Sequence, residues 1–361
     1  MPLVAAVRYT AMQKRHIIAI RLSALGDVAM TVPIIHAVAT AYPDVRITMV
    51  SKPLARAFFE DLAPNVCFMA ADARYELEGL RSLNRLFRRM VAKQPTHIAD
   101  LHDVIRTKFL RARFVMGGYP TAHIDKHRDL RKQFLAGDRQ LRLPTSFENY
   151  ADVFARLGFP IGQPQFVSLF PEGEGGNLNM LPKAVGPKLS WEEWIGLAPF
   201  AAHDGKTYPE HLTDEVIRLL LQRYPKARFF LFGRGEREER IFSRWVAQEP
   251  RCLFVAKHLE NMYQELILIS HLDVMLSMDS ANMHLASLTD TPVVSIWGAT
   301  HPRAGFLGWR QSEQNAVQAP LECRPCSIFG SKPCKYGDYR CLTAIAPQAI
   351  VDQLSRVIDK N

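Results

Sequence analysis

The run His16-Ile17-Ile18-Ala19-Ile20 leads directly into Arg21-Leu22-Ser23-Ala24-Leu25-Gly26-Asp27-Val28, and this junction constrains the fold more than any other stretch. The first five residues are β-branched and nearly uncharged, the pattern of a strand buried on both faces. From Val28 onward, Val32, Ile35 and Val38-Ala39 recur at helical spacing up to the turn at Tyr42-Pro43-Asp44. A buried strand, a short loop with one glycine and a helix form the opening unit of a parallel α/β sheet. In such sheets ligands bind beyond the carboxyl ends of the strands. Gly26 permits close approach of a ligand or a neighbouring backbone. Asp27 has two readings: a helix cap that accepts from orphan backbone N–H groups, or a carboxylate facing a cleft as a general base.

Strand and helix patterns alternate through the first half. Arg46-Val50, Val66-Met69 and His97-Leu101 read as strands, and Phe114-Gly117 reads as a short one. Pro53 to Leu62, Leu77 to Lys93 and Phe147 to Leu157 read as helices. The helix from Leu77 sets Leu80, Leu83, Phe87 and Met90-Val91 against Arg81, Arg85, Arg88 and Arg89, a core face and a basic face that is either solvated or in contact with phosphate or membrane. The strand at His97 ends in His102-Asp103-Val104-Ile105-Arg106-Thr107-Lys108, a place for a ligand-facing cluster. Lys126, His127, Arg128, Arg131 and Lys132 form a basic segment without clear periodicity, suited to a mobile loop over a cleft. Pro171 to Leu189 contains Gly173, Gly175, Gly176, Pro182, Gly186 and Pro187 and has no periodicity, so the domain linker is placed there. The alternation then restarts, with strands at Ile195-Phe200, Ala227-Phe232, Val274-Met278 and Pro292-Trp297, and ends in an amphipathic helix from Pro347 to Ile358. The fold class expected is α/β: two Rossmann-like, doubly wound domains, residues 1–185 and 186–345, facing a central cleft.

With 45 Lys and Arg against 36 Asp and Glu, the chain carries a formal charge of +9. Residues 1–185 hold 25 basic and 16 acidic residues; residues 186–361 hold 20 of each. The whole excess is therefore in the first half, which points that half toward an anionic partner unless the charges only solvate the surface. The basic residues lack aromatic interleaving or a nucleic-acid recognition module, so no nucleic acid is expected. No stretch approaches the roughly 20 apolar residues of a membrane span, and Met1 to Lys14 lacks the pattern of a signal peptide. A cytoplasmic protein is expected.

In the second half, Ser277-Met278-Asp279-Ser280-Ala281-Asn282-Met283-His284-Leu285-Ala286 reads as strand, turn and helix start. Asp279 and Ser280 suit a cap, so backbone N–H groups there can meet a phosphate. His284, one turn further, either faces that site or packs in the core. Lys206, in the loop Phe200 to Pro209, is a point charge for a phosphate or an ordinary loop lysine. Glu236, after Leu231-Phe232-Gly233-Arg234-Gly235, is placed to accept from ribose hydroxyls or to favour a helix start. Cys323, Cys326, Cys334 and Cys341 form C-x2-C-x7-C-x6-C. That spacing permits a structural zinc site, but its middle gap is short for a zinc ribbon, and reduced cysteines are the favoured reading.

Taken together, these pieces resemble the heptosyltransferase family, family nine of the glycosyltransferases. The resemblance lies in Arg21 to Val28 with Thr31-Val32-Pro33, the Lys206 to Pro209 loop, the Phe232-Gly233 to Glu236 turn, Asp279 to Ala286, and Gly298-Ala299-Thr300-His301-Pro302. It implies a GT-B architecture in which the last helix, residues 346–361, crosses back toward the first domain. It implies an inverting transfer of heptose from ADP-heptose to a phosphorylated lipid A–Kdo acceptor at the cytoplasmic face of the inner membrane, in lipopolysaccharide biosynthesis. Asp27 would be the general base. Lys206, Glu236, Asp279, Ser280, Ala281 and His284 would hold the donor, and Arg21, Arg106 and Lys108 the acceptor. No cofactor is required by this scheme, because helix N-termini and Lys206 can stabilise the departing ADP. Ala281 stands where many members have glycine. Two other readings are a different GT-B nucleotide-sugar enzyme, such as an epimerase, and a non-enzymatic anion-binding protein.

Overall fold

The computed structural model describes residues 15–138 and 140–360; the reading of Met1 to Lys14 lies outside the described residues. The chain builds two parallel sheets. The first contains β1 (His16–Ile20), β2 (Arg46–Ser51), β3 (Val66–Ala70), β4 (His97–Asp100) and β5 (Thr121–His123), in the order β3-β2-β1-β4-β5. The second contains β6 (Trp194–Ala198), β7 (Arg228–Leu231), β8 (Cys252–Phe254), β9 (Val274–Met278), β10 (Val293–Trp297) and β11 (Ala316–Gln318), in the order β11-β10-β9-β6-β7-β8. Every strand pair is parallel. The expected pair of doubly wound domains is therefore present.

Helices cover the sheets. In the first domain they are α1 (Leu25–Ala29), α2 (Val32–Ala41), α3 (Ala73–Glu76), α4 (Gly79–Val91), α5 (Ile105–Met116), α6 (Arg128–Leu135) and α7 (Ser146–Arg156). In the second they are α8 (Glu210–Arg223), α9 (Glu236–Gln248), α10 (Met262–Ser270), α11 (Ala281–Ser287), α12 (Arg340–Thr343) and α13 (Pro347–Ile358). β1 is the central strand of its sheet, and all five of its residues are buried. At roughly 1.5–3 kcal/mol per buried Ile side chain, this strand anchors the first domain.

Topology fixes where ligands can go. In each sheet the strand order reverses once, between β1 and β4 in the first and between β6 and β9 in the second. At such a switch point the neighbouring connections leave on opposite faces and open a crevice at the carboxyl ends of the strands. Asp27 follows β1 and Lys206 follows β6; Asp279 directly follows β9. All three thus border a crevice.

Several elements differ from the sequence expectations. Phe114 to Gly117 is the end of α5 and not a strand. Leu110 and Phe114, four apart and both fully buried, set a helical face, while Val115 and Met116 are exposed; the strand of this region is β5. The basic segment from Arg128 is the ordered helix α6, anchored by buried Phe134. Pro53 to Leu62 forms only a 3-10 turn, Pro53–Phe58. The first helix is divided in two at Met30-Thr31, where the Thr31 hydroxyl donates to the Val28 carbonyl. Leu80 is exposed on α4, whose inward face is Leu83, Leu86 and Met90. The helix expected to cross back toward the first domain, α13, packs among the described residues on the second: Ile350, Val351, Leu354 and Val357 join Val216, Ile217 and Leu220 of α8 in the second core.

Candidate active site

The loop after β1 folds around a buried cation. Arg21, 8% exposed, donates Nε to the Ser23 carbonyl at 2.9 Å and Nη1 to the Leu101 carbonyl at 2.7 Å. Its Nη2 lies 2.6 Å from Asp27 Oδ2. Asp27 is the third residue of α1, not its cap, and its Oδ2 accepts from the Ala24 N–H at 3.1 Å. A second support comes from α7. Thr145 and Glu148 exchange capping hydrogen bonds at the start of that helix, which sets Tyr150 so that its hydroxyl donates to the Asp27 carbonyl oxygen at 3.2 Å.

Burial pushes the Asp27 carboxyl up, but the Arg21 guanidinium, the Ala24 N–H and the nearby His284 together hold it below the ordinary carboxylate range. Asp27 is therefore ionised at neutral pH. Its side chain keeps 27% of its surface open, toward the cleft.

Across the cleft, α1 packs on α11. A Cβ built on Gly26 would lie 2.7 Å from His284 Cδ2 and 3.2 Å from Ala281 Cα. The glycine of the opening loop thus serves close contact with the second domain. His284 is 6% exposed with Nδ1 unpartnered. Burial lowers it to about 4, against the pull of Asp279 and Asp27, so the imidazole is neutral. Lys206 Nζ lies 3.0 Å from Asp279 Oδ2, which also accepts from the Thr300 hydroxyl at 2.8 Å. Ser280 takes the N-cap position of α11 in extended backbone, but its hydroxyl makes no capping bond and lies 3.2 Å from Ser277 Oγ. Ala281 is the first helical residue and does not have a positive φ, so alanine in place of glycine costs nothing there.

The residues proposed for the acceptor separate. Arg21 is committed to Asp27. Lys108 lies 3.6 Å from Asp103 Oδ2 and lines an open pocket of about 650 Å3 with Lys126, Arg128 and Arg156. Arg106 is exposed on the first turn of α5. Sequence analysis places His102 in a ligand-facing cluster without assigning it a role; it accepts from the Leu22 N–H at 3.4 Å and is lowered by burial to about 4. Lys126, expected only as part of a basic segment over the cleft, donates Nζ to the Asp103 carbonyl at 2.7 Å. Arg131 lies over the Phe306 and Phe329 rings of the second domain, and Asp27 is among the charges it feels. Asp103, Asp125, Asp129 and Asp152 line the same pocket as Lys108, Lys126, Arg128 and Arg156, so its charges balance, and Arg131 adds one cation toward Asp27.

Glu236 begins α9 and is exposed. Glu238, two residues along in the same first turn, folds back over the Gly233 turn and accepts from the Arg234 N–H at 2.7 Å. Sequence analysis names Glu236 alone; Glu238, in the same first turn, carries no motif signal of its own.

The domains are fastened beside the site. Leu143 and Ser146 donate backbone N–H groups to the carbonyls of Arg303 and Gly305, each at 3.0 Å. Leu169 donates to Leu288 at 2.8 Å, and Trp309 Nε1 to Phe166 at 2.9 Å.

Comparison with known proteins points in one direction. Residues 85–339 match glycosyltransferase family 9 (heptosyltransferase). The lipopolysaccharide core heptosyltransferase OpsX of Haemophilus influenzae is 22% identical over 306 residues, which cover 78% of this chain and 79% of that protein. The family 9 glycosyl transferase of Veillonella parvula has a TM-score of 0.74 at 16% identity, covering 97% of this chain and 99% of that one. The ADP-heptose lipopolysaccharide heptosyltransferase II of E. coli has a TM-score of 0.67 at 18% identity, covering 96% and 99%. The structural likeness gives the fold, two Rossmann-like sheets in the GT-B arrangement.

Proposed function

The chain belongs to glycosyltransferase family 9, the heptosyltransferase family, and on that premise we propose that it transfers heptose from ADP-heptose, with inversion, to a phosphorylated lipopolysaccharide-core acceptor. The observation that carries this reading is the contact of α1 with α11, which sets ionised Asp27 opposite Lys206, Asp279 and His284. The second domain takes the nucleotide sugar, with Lys206 neutralising the diphosphate. The first domain, which carries the chain's excess of positive charge, takes the anionic acceptor, with Arg131 within electrostatic reach of Asp27.

The acceptor hydroxyl oxygen attacks the anomeric carbon from the face opposite the diphosphate. The carbon–oxygen bond to the β-phosphate breaks, its electron pair leaves with ADP, and the hydroxyl proton passes to Asp27. Because Arg21 keeps Asp27 acidic, the carboxylate is a weak base for a resting hydroxyl. The proton moves late, once attack has acidified it. Lys206 meets the charge that develops on the leaving phosphate. Neutral His284 contributes a hydrogen bond and no charge.

Among the described residues no helix is long and apolar enough to cross a membrane. Exposed Ile105, Met116 and Leu80, near Arg81, Arg85 and Arg106 on α4 and α5, favour work at an anionic lipid surface, the cytoplasmic face of the inner membrane.

The test is ADP release and product mass with ADP-heptose and a heptose-free core acceptor. Acceptor-dependent ADP release with a gain of one heptose is expected. Turnover of ADP-heptose without acceptor would favour a hydrolase or epimerase, and no use of ADP-heptose would refute the donor.

A further inference from the structure

Four of the six cysteines come together away from the reacting groups. Cys323, Cys326, Cys334 and Cys341 line one small cavity of about 20 Å3, room for a single water-sized occupant. All four thiols are free. The same wall carries Arg324, Lys332, Lys335 and Arg340. A neighbouring carboxylate, Asp338, is engaged by Arg340, with Nη2 at 2.8 Å.

The charge pattern around these thiols is unusual. Arg324 is 9% exposed, and its guanidinium donates to the carbonyls of Gly298, Ala319 and Thr300 and to Gln318 Oε1. These partners are neutral, so a buried positive charge faces three thiols with no counter-charge supplied by a carboxylate. Burying a cation this way is costly unless an anion shares the site. Four thiolates around one divalent ion carry a net charge of −2, which complements this cationic wall. Soft sulfur donors select zinc or iron(II) over magnesium or calcium, and Cys-x2-Cys is a usual chelating spacing.

We propose that Cys323, Cys326, Cys334 and Cys341 bind one zinc or iron(II) ion as a tetrathiolate site. As they stand, the thiols are not drawn to a common point: among the described residues no three His, Cys, Asp or Glu side chains are grouped to hold an ion. Binding therefore couples to closure of the loop. The divalent ion enters, four S–H bonds give up their protons to solvent, and four metal–sulfur bonds form with no change of oxidation state.

The loop that closes is a support for Lys206. The Cys326 and Ser327 N–H groups donate to the Ala299 carbonyl at 3.1 and 3.2 Å, and the Ala299 N–H donates to the Gly205 carbonyl at 2.8 Å. Gly330 packs against the Lys206 stem, and a Cβ on Gly205 would come 2.8 Å from the Gly330 carbonyl oxygen. The ion thus fixes the floor under Lys206. This consequence rests on the proposed donor role of Lys206; the ion site itself does not.

The test begins with metal analysis of the full chain purified without chelators or a metal-affinity step. About one zinc or iron per chain is expected. Metal-free, reduced protein titrated with Co2+ should develop sulfur-to-cobalt charge-transfer and tetrahedral d–d bands that saturate at about one equivalent. Cys323→Ser and Cys334→Ser should lose these bands and Cys67→Ser should keep them. If the variants do not fold, the wild-type titration decides. No cobalt–thiolate band in reduced wild-type protein, or a disulfide among these cysteines in protein purified under reducing conditions, overturns the site. Calorimetry with ADP separates the two parts: about tenfold weaker binding after metal removal supports the brace. Unchanged binding by a protein that holds cobalt overturns the brace alone.

Discussion

Gly26→Ala isolates the contact between the domains. Gly26 lies within α1 and does not have a positive φ, so the helix itself tolerates alanine and gains up to about 1 kcal/mol of propensity. The obstacle is on the other domain. The added methyl lies 2.7 Å from His284 Cδ2, inside van der Waals contact, and 3.2 Å from the Ala281 backbone. His284 is buried and Ala281 starts a helix, so neither yields freely. Overpacking of this kind costs about 1–3 kcal/mol. The penalty falls on the closed arrangement of the site, so kcat/KM should fall by about 5- to 150-fold. Steady-state ADP release measures the loss, and thermal melts of the same protein check that Tm does not fall in proportion. Full kcat/KM in a normally folded variant would refute the packing of α1 on α11 as the catalytic arrangement.

Other perturbations have definite signs. Lys206→Ala should cost about 100-fold or more in kcat/KM for the donor, and unchanged kinetics at limiting donor would remove Lys206 from the site. Arg21→Met leaves the burial of Asp27 unopposed by a cation, so the Asp27 carboxyl rises and the acid limb of the pH–kcat/KM profile moves to higher pH. The stability that the depressed Asp27 carboxyl contributes, present above its unfolded pKa and lost as pH falls through the folded value, should shrink in that variant. His284 is held to about 4 by burial against 6.5 when unfolded, so stability should fall as pH drops from about 6.5 to 4, by about 3 kcal/mol for this group. His284→Asn should flatten that part of a Tm–pH curve, and an unaltered curve would place the acid sensitivity elsewhere.

The parallel sheets were legible because buried strands such as His16–Ile20 and Val274–Met278 have no competing helical period. Phe114 to Gly117 reads as a strand because three apolar residues before two glycines look like a strand end, and only the buried partner four residues back, Leu110, marks it as helix. β8 and β11, three residues each, are too short to show a period. The resemblance directs α13 back toward the first domain, and only packing reveals that α8 completes its apolar face.

At the site, Asp27 and Lys206 could be named from their places after strands. Their partners could not, because Arg21 to Asp27 and Lys206 to Asp279 are pairings whose geometry depends on how loops fold over the sheet ends. Arg21 illustrates the limit. Its residue type suits an anionic acceptor, but its environment makes it the counter-ion of Asp27. The cationic residues of α6 carry no periodic signal, and their position over the cleft comes from Phe134 and Leu143 packing on Ala304 and Ile328.

The role of Asp27 is tested most directly by Asp27→Asn, an isosteric change that removes the proton acceptor and leaves the second domain untouched. Turnover of ADP-heptose and acceptor should fall by about 100- to 10,000-fold, while the Kd for ADP, measured by calorimetry on the same preparation, stays within about twofold of wild type. Near wild-type turnover in that variant would contradict the assignment of Asp27 as the base.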